Sequence, residues 1–79
     1  MIRLMDEASS LILKAINESK EPLETKEILE KVYKTLKNST RTIVLYRLNM
    51  LRGDQKIFGK FVGPGKGVWI WWSTKTFNK

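Results

Sequence analysis

Every glycine in this chain lies beyond residue 52, and at that same point the hydrophobic pattern changes its period. Before it, apolar side chains recur every three or four residues, the spacing of one helical face. After it, β-branched and aromatic residues crowd into two short runs around a glycine-rich turn. A chain with this single switch is expected to be α+β, helices first and a hairpin last. Its 79 residues have room for one modest core, so a single domain over 1–79 is expected, with no internal repeat and no interdomain linker.

Met5, Ala8, Leu11, Ile12, Ala15 and Ile16 mark a first helix over about 5–18. Asp6 and Glu7 suit the positive end of its dipole, and Glu21-Pro22 closes it, because a residue before proline avoids helical geometry. Leu23 reads as an inward-pointing residue in a short extended link. Thr25 is the expected N-cap of a second helix over about 26–37, with Ile28, Leu29, Val32, Tyr33 and Leu36 at helical spacing. Lys37-Asn38-Ser39 favours a turn. Ser39 or Thr40 then caps a third helix over about 40–52, and Gly53 stands where a left-handed C-terminal residue is expected.

On that third helix, Val44, Leu48 and Leu51 share a narrow arc, the expected core face. Thr42, Tyr46 and Asn49 fall opposite, with Arg41, Arg47 and Arg52 nearer the flanks. Strands over about 56–62 and 68–72 enclose the turn Gly63-Pro64-Gly65-Lys66-Gly67, and the polar residues 73–79 are expected to fray.

Composition removes several kinds of chemistry. The chain has no cysteine and no histidine, so thiolate metal sites, disulfides and the commonest general base are all missing. Glu24, Glu27 and Glu30 alternate with Lys26, Lys31 and Lys34 in the manner of a solvated helical face rather than a catalytic set. No apolar run approaches the roughly 18 residues of a membrane span, and Met1 to Glu7 does not resemble a secretory signal. The expectation is a cytoplasmic protein that is not an enzyme, uses no cofactor or metal, and does not bind a membrane.

The charge is segregated. Residues 1–36 carry six basic and seven acidic side chains, whereas residues 37–79 carry nine basic ones and a single acid, Asp54. The net charge of +7 therefore belongs wholly to the second half. Solvated lysines explain a scattered excess, but an excess concentrated in one part of a small domain points to an anionic partner.

Helix, link, helix, short turn, helix and hairpin is an order that resembles the winged helix-turn-helix superfamily of DNA-binding domains. Glu21-Pro22-Leu23-Glu24-Thr25-Lys26-Glu27-Ile28 looks like the approach to the second helix of many such repressors. Ser39 to Ile57, with Leu48 and Leu51 three apart and Gly53 leading into a strand, is similar to their third helix and its exit. The resemblance spans roughly residues 5–72 and identifies no subfamily. It implies three helices followed by a C-terminal β-hairpin wing, the third helix in the major groove of double-stranded DNA and the wing along the backbone, in a small transcriptional regulator. Many dimeric members carry a fourth helix after the wing; none is read here, and a homodimer stays an alternative.

The residues fit those roles individually. Ser39 and Thr40 at a helix N-terminus can hold a phosphate, although helix capping is their commoner use. Arg41 can pair with phosphate or with the two acceptors of guanine, Thr42 lies close by, and Arg47 on the flank is a further DNA-contact candidate, although Arg41, Arg47 and Arg52 can equally form a solvated helical face. Asn49 can bridge adenine, Tyr46 can reach a phosphate or a thymine methyl, and Lys60 and Lys66 on the hairpin can follow the backbone. The glycine-rich turn lacks the strand-to-helix setting of a phosphate-binding loop. Strand alternation puts Trp69 and Trp71 on one face and Ile70 and Trp72 on the other, and core packing is expected for most of these rings before base stacking. Against the DNA reading stand Ile43, Tyr46 and Met50, apolar material near the outward side of the third helix. They support an alternative, a protein-interaction winged helix in a transcription or membrane-remodelling assembly, docking a protein partner through the third helix or the wing.

Overall fold

The helical and alternating halves of the sequence become three helices and a three-stranded antiparallel sheet in the computed structural model, which describes residues 7–76. In chain order these are α1 (Glu7–Glu18), β1 (Leu23–Glu24), α2 (Thr25–Tyr33), α3 (Arg41–Gly53), β2 (Phe58–Val62) and β3 (Val68–Trp72). The start of the first helix expected at Met5 and Asp6, and the end of the tail, residues 77–79, lie outside the described residues.

The core is the meeting of the three helical stripes with one face of the sheet. Ile12 and Ile16 of α1, Ile28 and Val32 of α2, and Val44, Leu48 and Leu51 of α3 are buried, together with Leu23, Ile57 and Trp71. Leu11, Leu29, Leu36 and Trp69 pack around this cluster partly buried. Tyr33, which shares the apolar spacing of α2, is instead exposed, with the Lys37 ammonium 5.3 Å from its ring centroid. Its phenol can stay hydrated there while the ring faces a cation.

The sheet has the order β1-β3-β2, so Leu23-Glu24 is a paired strand and not merely an extended link. Leu23 lies opposite Trp71 and Glu24 opposite Ile70. On the other side of β3, Phe58 pairs with Trp72, Gly59 with Trp71, Lys60 with Ile70, Phe61 with Trp69 and Val62 with Val68. The second strand thus begins at residue 58 rather than 56, because Ile57 is drawn wholly into the core before pairing starts. The turn between β2 and β3 has proline at its second position and Gly65 at φ 68° at its third, where a type II turn requires a positive φ.

Trp71 accounts for a second revision. Its indole N–H donates to Thr25 Oγ1 at 2.9 Å, and both groups are buried. Thr25 is therefore spent on the sheet, and Glu24 takes the N-cap position of α2, with its backbone N–H donating to Glu27 Oε1 at 2.8 Å. The same helix stops at Tyr33 rather than near 37. Thr35 N–H bonds to the Val32 carbonyl at 3.1 Å, a tightened last turn that hands over to the polar run 37–39.

The end of α3 differs as well. Gly53 is still helical, and the left-handed residue is Gln55, at φ 62°. Gln55 N–H bonds to Arg52 O and Lys56 N–H to Leu51 O, both at 3.0 Å, which is the Schellman pattern of helix termination. The helix runs one residue further than expected, so the reversal falls two positions past the glycine. Nor does the tail fray at once. Ser73 and Thr76 are buried against α1, where Ser73 Oγ meets Asn17 Oδ1 at 2.6 Å and Ser73 N–H donates to Thr76 Oγ1 at 3.0 Å.

Two substitutions test this account. A Cβ built on Gly59 would come within 2.6 Å of the Trp71 ring. Gly59→Ala is therefore expected to destabilise the fold by about 1–3 kcal/mol in urea unfolding. Gln55→Gly removes a left-handed non-glycine residue and is expected to raise stability by up to about 1 kcal/mol, net of glycine's greater unfolded-state entropy.

Candidate nucleic-acid interface

With Val44, Leu48 and Leu51 turned into the core, the 3.6-residue period leaves the opposite side of α3 bare. Thr42, Ile43, Tyr46, Asn49 and Met50 are exposed along it, and Arg41 and Arg52 are exposed on the flanks at its two ends. Thr40 is the N-cap, its Oγ1 accepting from Ile43 N–H at 3.2 Å. Ser39 is half-buried just before it, its N–H donating to Leu36 O at 3.2 Å. Of the two capping candidates, Thr40 does the capping and Ser39 closes the preceding turn.

The side chains expected on this surface do not all stand equally free. Arg41 and Thr42 extend from the first turn into solvent. Arg47 is half-buried and lies along its own helix, its guanidinium carbon 5.4 Å from the Tyr46 ring centroid and Nη1 3.8 Å from Met50 Sδ. Asn49 Nδ2 donates to the Leu45 carbonyl at 3.0 Å, so a two-point contact with adenine requires the amide to swing away from that bond. Lys60 and Lys66 are exposed on the hairpin, one on β2 and one in its turn.

Alternation and register sort the hairpin into two faces. Gly59 and Phe61 share the face of Trp69 and Trp71, the face turned to the helices. Phe58, Lys60 and Val62 share the other with Val68, Ile70 and Trp72. Trp71 is buried as expected of a core ring, while Trp69 and Trp72 are only partly covered. Trp69 stacks on Trp71 with centroids 5.4 Å apart, Phe61 meets Trp69 edge-on at 6.2 Å, and the Arg52 guanidinium carbon lies 5.4 Å from the Trp69 centroid. Phe61, half exposed at the end of this series, was not picked out by sequence reasoning. The register that aligns it with Trp69 was the signal that could have found it.

Two open concavities lie away from the exposed side of α3. One of about 610 Å³ runs between α1 and α2 and mixes lysines with glutamates, among them Lys14, Glu18, Glu27 and Lys31. The other, about 490 Å³, sits between the end of α3 and the base of the hairpin, walled by Arg52, Gln55, Ile57, Phe58 and Trp72. Among the described residues no three carboxylates gather as a metal site. No helix there is long and apolar enough to cross a membrane. Comparison of the chain with protein-family models, curated proteins and solved structures finds no match.

The cap that sets the first turn of this surface can be tested directly. Thr40→Ala is expected to lower stability by about 1 kcal/mol in thermal unfolding, since the Ile43 N–H loses its side-chain acceptor.

Proposed function

We infer that the chain is a winged helix-turn-helix module that binds double-stranded DNA as a small transcriptional regulator, without acting on it as an enzyme. The observation that carries the reading is that Thr42, Ile43, Tyr46, Asn49 and Met50 are all exposed on the outward side of α3, in the half of the chain that holds the net positive charge. The element order α-β-α-α-β-β, with β3 between β1 and β2, is compatible with a helix-turn-helix followed by a wing, and it supports the same reading. Arg41 and Thr42 then lead into the major groove, Tyr46 and Asn49 follow along the helix, and Lys60 and Lys66 contact phosphates from the wing. The capping Thr40 and the half-buried Ser39 and Arg47 support that surface more than they contact DNA.

One observation favours a second reading. Ile43, Tyr46 and Met50 are 43%, 59% and 45% exposed and lie at helical spacing on the same side of α3. Such a stripe suits a protein-interaction winged helix that docks a partner on α3. Protection of α3 from hydrogen exchange by a protein, and not by DNA, would favour it.

Fluorescence anisotropy of a labelled mixed-sequence duplex at low and moderate salt separates the two. Affinity is expected to fall steeply as salt rises, and Lys66→Ala to flatten that slope by about one unit. Arg41→Ala is expected to cost about 1–3 kcal/mol of binding. Full affinity in the Arg41→Ala, Lys66→Ala double variant would sink the groove-helix reading.

A further inference from the structure

We propose that the wing carries a stacking platform for an unpaired base, centred on Phe61, so that DNA with an opened or frayed stretch is a better ligand than a fully paired duplex. The proposal rests on the DNA-binding reading above and deepens it by naming the form of DNA preferred.

Three observations support it. The first is the arrangement of the rings. Trp71 is buried, Trp69 stacks on it with 21° between the ring planes, and Phe61 meets Trp69 at 65° while remaining 52% exposed. The series is anchored at its inner end by the Trp71–Thr25 hydrogen bond, and ring contacts through Trp69 connect that end to Phe61. A preformed platform loses little side-chain entropy on binding.

The second is what surrounds the rings on that face. Gly59 lies opposite Trp71, and its Cβ, if present, would collide with that indole. A Cβ on Gly63 would stand 3.4 Å from the Phe61 ring. The rings therefore lie against bare backbone. Beyond the core, this face of β2 and β3 offers aromatic rings and no aliphatic side chain. An aliphatic or helical protein partner packs into a surface of ridges and holes. A half-exposed flat ring, edge-on to its neighbour, suits another flat ring.

The third is charge. Arg52 lies over Trp69, and from residue 55 onward the chain contains five lysines and no acid. A base brought to Phe61 meets Arg52 on the same aromatic series and Lys66 in the turn of the same hairpin, while Lys60 lies on the opposite face of β2 and can follow the backbone only as it passes the strand's edge. Stacking plus a basic track is the combination that holds single-stranded nucleic acid, because every base offers a π face.

The test compares the full chain's affinity for a labelled, fully paired duplex and for the same duplex with a central unpaired run. The unpaired form is expected to bind about tenfold more tightly, the effect of stacking roughly one base. Phe61→Leu is expected to abolish that preference and to leave affinity for the paired duplex within about twofold, whereas Phe61→Tyr keeps it. A second readout needs no variant: 2-aminopurine in the unpaired run is expected to lose emission on binding. Equal affinity for the two forms, a preference that survives Phe61→Leu, or unchanged 2-aminopurine emission would each overturn the proposal while leaving duplex binding intact. Failure to bind either DNA would overturn the DNA reading itself. Sedimentation with anionic vesicles that depends on Phe61, alongside a DNA preference that does not, would assign the ring to a lipid surface and overturn it too.

Discussion

The fold depends on one side chain, Trp71, more than on any other. It sits on the middle strand, opposite Leu23 on one side and Gly59 on the other, and only 1% of it reaches solvent. Its ring fills the space over Gly59, its N–H finds the Thr25 hydroxyl at the start of α2, and Trp69 lies on it. A buried indole N–H without an acceptor loses the hydration it had in the unfolded chain. The Thr25 bond thus lets the largest core residue be buried, and it also fixes where the second helix begins relative to the sheet. The helices and the hairpin become one body through this contact, and the exposed side of α3 is held in constant relation to β2 and β3.

Much of this was legible in the sequence because it follows from periodicity. The inward arc of Val44, Leu48 and Leu51, the exposure of Thr42, Tyr46 and Asn49, the Thr40 cap and the shared face of Trp69 and Trp71 are all consequences of 3.6-residue and two-residue repeats. What was not legible depended on partners distant in the chain. A two-residue strand such as Leu23-Glu24 has no pattern of its own and exists only because β3 supplies hydrogen bonds. Thr25 has the composition of a cap, and only the arrival of an indole 46 residues later gives it other work. Ser73 and Thr76 look like tail residues because polarity suggests solvent, yet each satisfies its hydroxyl against α1 or a neighbouring turn.

The candidate interface shows the same division. Which residues of α3 face outward is set by local geometry, and sequence reasoning found them. How free each one is depends on neighbours: Arg47 lies along its own helix against Tyr46 and Met50, and Asn49 turns back to a carbonyl one turn earlier. Exposed position and available side chain are different properties, and only the first is periodic. The aromatic series ending at Phe61 went unseen for a related reason, since it exists only once β2 and β3 are placed in register.

The strand order has a consequence for how this chain acquires its shape. β3 is the last of the three strands along the chain and the middle one in space, and β1 and β2 each pair only with it. As the polypeptide leaves a ribosome, its helices can begin to form while neither earlier strand has a neighbour to bond. Residues 68–72 close the sheet and deliver Trp71 to the core, and Ser73 and Thr76, which follow directly, return to the first helix. A nascent chain stalled before that segment emerges has no sheet at all, and its helical core lies open on the side the indole would have covered.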